Sequence, residues 1–311
     1  MTPLMTAGVP SVRETLDIEG EWVSLLREGI SITFYIQARH EDLAPAIWRA
    51  LERYRQAIEP RKLVWYWDCF TGYWPRLDAE GEAELRSRMM EPAFASAHVM
   101  ALSGSATGIC FKYEGRGTTA PNFHDTYPEN TCCLEFRLPT EFLDERGPEW
   151  IRALAIDLGR ELPWNSGHAG LSLEVHAWTQ SLTPRLQEVT RRHPGFDLVH
   201  RLNRLALYLG TKLRPPAWLT FLGPPVLNEL GGVEALRSRL HSPSTQVEAL
   251  SPDRALVSLG PVPEAGDLEA GDTLTAYREL ARVLEPWLYT HRGEWGLFTE
   301  AEVRQWERRF L

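Results

Sequence analysis

Apolar and polar side chains alternate from Gly29 to Gln37 (Gly-Ile-Ser-Ile-Thr-Phe-Tyr-Ile-Gln), the period of a strand with one buried face. The spacing then changes. Leu43, Ala46, Ile47, Ala50, Leu51, Tyr54 and Ile58 recur as on one face of a helix, with Asp42 placed to cap it. Leu63 to Trp67 returns to strand character. The same strand–helix–strand order recurs as Cys132 to Leu138, Pro148 to Leu162 with Pro148 in the first helical turn, and Leu171 to His176. Between the two units, Glu82 to Ala97 is expected to be helical. Val99 to Tyr113 is expected to hold one or two strands broken at Ser103-Gly104-Ser105.

Further along, Thr183 to Arg192 reads as a helix stopped by Pro194-Gly195, and Trp218 to Leu222 as a short strand. Gly232 to Leu240 reads as a helix, and Thr245 to Leu250 pairs with Ala255 to Leu259 across Ser251-Pro252-Asp253-Arg254. Leu274 to Tyr289 and Glu300 to Phe310 close the chain as helices. These elements predict an α+β fold, in which repeated strand–helix–strand units form a largely antiparallel or mixed sheet covered by helices. Residues 1–13 read as a flexible N-terminal arm and 14–311 as a single α+β domain, with two similar halves left open.

One segment stands out from this periodicity. From Trp65 to Trp74 (Trp-Tyr-Trp-Asp-Cys-Phe-Thr-Gly-Tyr-Trp) six of ten residues are aromatic. Its first half is a strong β-former, and Trp65 and Trp67, two apart, share a face. That face is expected to be core. Its second half carries Gly72 and Pro75 and reads as a turn, where Tyr73 and Trp74, if exposed, are candidate recognition anchors.

Composition narrows the class. Net charge is −9 and the pI near 5.6, which argues against a nucleic-acid or anionic-membrane binder. Seven acids lie between Asp125 and Glu149 (Asp125, Glu129, Glu135, Glu141, Asp144, Glu145, Glu149), against Arg137 and Arg146. Cys69, Cys110, Cys132 and Cys133 show no framework spacing, so reduced thiols are expected. Neither a signal peptide nor a membrane span is expected, since the N-terminus lacks a basic, then apolar stretch and no run reaches 18 apolar residues.

No enzyme signature stands in the sequence. No histidine pair has the i,i+4 spacing of a helical zinc site, and no Cys-x-x-Cys exists. There is no Gly-x-Ser-x-Gly elbow, and Gly115-Arg116-Gly117-Thr118-Thr119 lacks the Lys of a phosphate loop. Ser166-Gly167-His168 sits in Trp164 to Gly170, where the glycines suit a tight turn between helix and strand. No catalytic residue, metal or cofactor is assigned.

Four stretches together resemble a bacterial family of type VI secretion immunity proteins (TsiV-like), formerly catalogued as a domain of unknown function. They are Ile32-Thr-Phe-Tyr-Ile with its following helix, Trp65-Tyr66-Trp67-Asp68, and Leu134-Glu135-Phe136-Arg137-Leu138-Pro139. The fourth is the helix leading into Leu162-Pro-Trp-Asn-Ser-Gly-His-Ala-Gly170. The resemblance covers roughly residues 15–260 and rests on aromatic and turn patterns. It implies a cytoplasmic protein, not an enzyme, made beside a secreted toxin that it binds and neutralises by occluding the active site. Some members pair with nuclease effectors. A nuclease cleft is basic to hold phosphates, so an acidic inhibitor can be steered into it. The partner is then a cognate toxin with a basic cleft, not nucleic acid or membrane. The expected contact residues are Asp68, Tyr73, Trp74, Asp125, Glu129, Asp144 and Glu145. Two alternatives stay open: a hydrolase with an unrecognised site around Asp68, His168 or Cys69, and a structural component of the secretion machinery.

Overall fold

The alternation at Gly29–Gln37 is the second half of a long strand, β2 (Glu21–Ile36), at the centre of the sheet. The computed structural model describes residues 8–92, 96–102, 105–116, 128–175, 182–198, 202–291, 293–294 and 298–311. A first strand, β1 (Glu14–Ile18), pairs antiparallel with the start of β2. Antiparallel to β2 on its two sides run β6 (Cys132–Pro139) and β7 (Ser166–Val175). Outward from β6 come β5 (Cys110–Glu114), β4 (Ser96–Met100) and β3 (Trp65–Tyr66). Outward from β7 come β9 (Leu219–Leu222), β11 (Arg254–Leu259) and β10 (Thr245–Ser251), while β8 (Asp197–Leu198) adds a short parallel pairing. Eleven strands among the described residues thus form one largely antiparallel sheet.

Register sorts the central strands into two faces. Ile30, Ile32, Phe34 and Ile36 share one, with Leu134, Phe136 and Leu138 of β6 and Ala169, Leu171 and Leu173 of β7. All are buried. Helices α1 (His40–Ala57), α2 (Ala79–Met89), α3 (Glu141–Arg146) and α4 (Pro148–Gly159) contribute to that core through Ile47, Tyr54, Leu85, Phe142 and Leu158. Phe34 packs edge-on to Phe221, with ring centroids 5.1 Å apart, and Tyr54 lies 5.2 Å from Phe136. Each such buried side chain contributes about 1.5–3 kcal/mol.

The rest of the chain supplies α5 (Thr183–Arg192), α6 (Leu202–Tyr208), α7 (Val226–Glu229), α8 (Gly232–Arg237), α9 (Thr275–Leu284) and α10 (Glu300–Glu307). The last is closed by a Thr299–Glu302 capping box. On the sheet's other face Leu202, Leu205 and Ala206 of α6, with Tyr289, pack on Tyr35 and Cys133. No helix among the described residues is long and apolar enough to cross a membrane.

Three local expectations are corrected. Asp42 does not cap α1: Arg39 is the N-cap residue, and its guanidinium donates to Asp42 instead (Nε–Oδ2 3.1 Å). The helix expected over Glu82–Ala97 spans Ala79–Met89, started by Asp78 accepting from the Gly81 N–H, and Ser96 already begins β4. The glycines near His168 make no turn either. Gly167 lies inside β7, where a Cβ would stand 2.7 Å from both the Phe34 ring and the Thr33 carbonyl oxygen. Close approach of strand and side chain requires it. Residues 1–7 and His176 lie outside the described residues, as do Ser103 and Gly104. Val12 is buried, and its N–H donates to Glu28 Oε2 at 2.8 Å.

Candidate functional site

The aromatic run forms the edge of the sheet, and only one member of its strand faces the helices. Tyr66 is buried, and its hydroxyl donates to Glu84 Oε2 of α2 at 2.8 Å. Burial and the Glu84 carboxylate push its pKa up to about 12. Trp65 and Trp67 share the opposite face, so the expected core assignment is reversed. Trp65 is half-buried under the Arg76 guanidinium, 5.2 Å from the ring centroid, and Trp67 is 37% exposed.

Past Trp67 the chain turns on Asp68. The Asp68 N–H donates to the Tyr73 carbonyl (3.0 Å) and the Gly72 N–H to the Asp68 carbonyl (2.8 Å). Gly72 takes φ +75°, a conformation that favours glycine. The Asp68 carboxylate accepts from the Phe70 N–H (3.0 Å), the Thr71 hydroxyl (2.9 Å) and Arg88 Nη1 (2.8 Å). The Phe70 N–H, aided by Thr71 and Arg88 and opposed by burial, holds its pKa below the usual carboxylate range. Asp68 therefore pins the turn. What the pinned turn presents is apolar: Phe70 is 77% and Tyr73 75% exposed.

Trp74 folds back from the tip. Its ring lies 5.4 Å from Trp67 and 4.9 Å from His98, so it is half-buried. These two indoles wall a groove of about 410 Å³. Ser96 and His98 of β4 and Lys112 and Glu114 of β5 line it, with Leu202 and Asn203 of α6 opposite. The register pairs Ser96 with Glu114 and His98 with Lys112, so all four share the face of Trp67. Burial, then the nearby Lys112 and Arg137 charges, pushes the His98 pKa well below its ordinary value. Burial raises that of Glu114, opposed by Arg116 and by the Ser96 hydroxyl, which donates at 3.3 Å.

The same polar row continues inward from Lys112 to Glu135, Thr33, His168 and Thr220, strand by strand. Here it is buried. Arg137 Nε lies 2.9 Å from Glu135 Oε1, and His168 Nε2 lies 3.2 Å from Asp197 Oδ2. Arg214 donates to Asp197 (3.1 Å) and to Glu307 of α10, tying the C-terminal helix to the sheet. Burial raises the Asp197 pKa, but Arg214, His168 and Arg309 outweigh it and hold Asp197 well below the usual range. Ser166, His168 and Asp197 are not a nucleophilic triad. Ser166 is two residues along the strand from His168, about 7 Å away, and its hydroxyl bonds no described residue. A nucleophile and its base need about 3 Å.

Of the residues expected to contact a partner, Asp68, Tyr73 and Trp74 come together at this edge. Glu129 is exposed beside the end of α6, its carbonyl accepting from the Gly210 N–H at 2.8 Å. Asp144 and Glu145 are exposed on α3, on the helical side of the sheet, and Glu145 holds Arg61 through both oxygens (2.5 and 2.8 Å). Glu135 is buried and Glu141 holds Arg13 and Arg27, so the acidic segment is no single surface. Asp125 lies outside the described residues. Asp68 and His168 are separated by five strand spacings, about 24 Å, so they share no site. Among the described residues no group of three or more His, Cys, Asp or Glu could hold a metal ion. His98, Lys112, Glu114 and Asn203 were not singled out from the sequence. Alternation with Val99, Phe111 and Tyr113 reveals their face, but not the groove above it.

A family model described as "TsiV: Type VI immunity for VRR-NUC" matches residues 46–310. No curated protein matches the chain. Among solved structures, the chain is similar to the Pseudomonas aeruginosa T6SS protein PA0821, with 24% identity and a TM-score of 0.75. The similarity covers 95% of this chain and 87% of that one, and at that identity it is a likeness of fold.

Proposed function

The chain belongs to the TsiV family of type VI immunity proteins, and from that premise we propose that it acts in the cytoplasm by binding one cognate VRR-NUC toxin and occluding its active site. The observation that carries this reading is the sheet edge. Two aromatic rings, Phe70 and Tyr73, stand exposed on a turn pinned by Asp68, beside a groove walled by Trp67 and Trp74. Rigid aromatic anchors of this kind carry most of the energy in protein interfaces, because they bury large area with few rotors to freeze. The net charge of −9 suits approach to a basic cleft, with the exposed acids Glu129, Asp144 and Glu145 contributing to steering, not to the anchor. The protein works by occupancy and has no turnover of its own.

The test is co-expression with the cognate VRR-NUC toxin. The wild type should co-purify with the toxin and restore growth. A Phe70→Ala/Tyr73→Ala/Trp74→Ala variant should remain folded and lose both properties. Full protection by that triple variant would place the interface elsewhere. Failure of the wild type to bind would remove the occlusion reading altogether.

A further inference from the structure

Lys112 is one of only three lysines in the chain. It lines the groove and forms no ion pair with any described residue. Its cross-strand neighbour Glu135 cannot serve it, because that carboxylate is fully buried against Arg137 Nε at 2.9 Å. Glu114, two residues along the same strand and about 7 Å away, accepts from the Ser96 hydroxyl at 3.3 Å, and burial raises its pKa against the opposing charges of Arg116 and Lys112. The Lys112 ammonium thus lies in a groove of about 410 Å³ bordered by the packed indoles of Trp67 and Trp74. Among the described residues no carboxylate lies within ion-pair distance of this half-buried ammonium.

We propose that the groove receives one acidic side chain of the bound toxin, with Lys112 as its ion-pair partner and the packed indoles of Trp67 and Trp74 as an apolar wall. This rests on the occlusion reading and adds the chemistry of the contact. A cationic occupant would be held by Trp67, Trp74 and Glu114 but repelled by Lys112, whereas the Lys112 ammonium attracts an aspartate or glutamate. The choice agrees with a toxin whose cleft is basic overall. A nuclease that uses divalent metal carries carboxylates within its phosphate-binding cleft.

The test measures equilibrium binding to the purified domain of the cognate VRR-NUC toxin. Wild type, Lys112→Arg, Lys112→Gln and Lys112→Glu are compared, and thermal unfolding confirms that each is folded. Lys112→Gln should weaken binding roughly thirtyfold or more, the effect of truncating a desolvated charge partner. Lys112→Arg should retain most of the affinity, and Lys112→Glu should lose more than Lys112→Gln. Replacing the toxin's acids one at a time by amides should identify one position whose loss is large against wild type and absent against Lys112→Gln. Wild-type affinity for Lys112→Gln, or tighter binding by Lys112→Glu, overturns the carboxylate assignment while leaving occlusion standing. Absence of binding by the wild type overturns both.

Discussion

Trp74→Ala and Tyr66→Ala separate an anchor from a core residue within one aromatic run. Tyr66 is 2% exposed and packs on the helical face, so its truncation should cost about 3–5 kcal/mol, as for large aromatics in cores. Its partner Glu84 is exposed enough to rehydrate, so little is added by the broken hydrogen bond. Trp74 has two ring neighbours, Trp67 at 5.4 Å and His98 at 4.9 Å, and one side open to the groove. Such ring pairs contribute about 0.5–1.5 kcal/mol each beyond area burial, so Trp74→Ala should cost about 1–3 kcal/mol of stability. Against a domain stability of about 5–15 kcal/mol, the protein stays folded. Its toxin affinity should fall by about 2 kcal/mol or more, the range of interface hot spots. Urea titrations with a fixed slope give the first quantity, and calorimetric titration with the toxin gives the second. Equal destabilisation by the two variants, with toxin affinity unchanged by Trp74→Ala, would show Trp74 to be core and refute the assignment.

Three more outcomes follow from particular residues. His98 is held below its unfolded value of about 6.5, so the stability it contributes is complete above that pH and is lost as pH falls below it. His98→Gln should flatten the fall in unfolding free energy between pH 7.5 and 5.5, leaving the part carried by His40, whose pKa burial also lowers; an unchanged slope would rule this out. Of the four thiols only Cys69 is exposed, while burial pushes Cys110 up to about 12 and Cys132 to about 11. A thiol reagent should therefore titrate one group rapidly in native protein and four after denaturation, and two fast groups would contradict the burial. Gly167→Ala should destabilise by about 1–3 kcal/mol through overpacking against Phe34 and the Thr33 carbonyl; a melting temperature equal to wild type would mean that β2 and β7 yield freely.

Periodicity along the chain was sufficient for the elements that bury one clean face. The alternation Ile30, Ile32, Phe34, Ile36 and the helical spacing of Leu43 to Ile58 appear as β2 and α1, because one face of each must leave water whatever packs on it. The α+β class followed from their order. Alternation also placed Trp65 and Trp67 on one side of their strand, but the side that is core was decided by where α2 packs, and it chose Tyr66. Gly167 in a Gly-rich stretch resembles a turn locally; only the position of Phe34 shows that it is a close strand crossing. Charge behaved in the same way. Asp125 to Glu149 reads as one acidic block, yet folding sends Glu135 to Arg137, Glu141 to Arg27 and Glu145 to Arg61. Conversely, Lys112 carries no mark in sequence. It became notable when the sheet placed it beside a Glu135 already taken by Arg137, in a groove shared with two indoles from a turn some forty residues earlier. Which groups must be buried is written in the local pattern, because burial depends on each side chain's own affinity for water. Which charges end up without partners depends on strand register and helix placement, and those are properties of the whole chain.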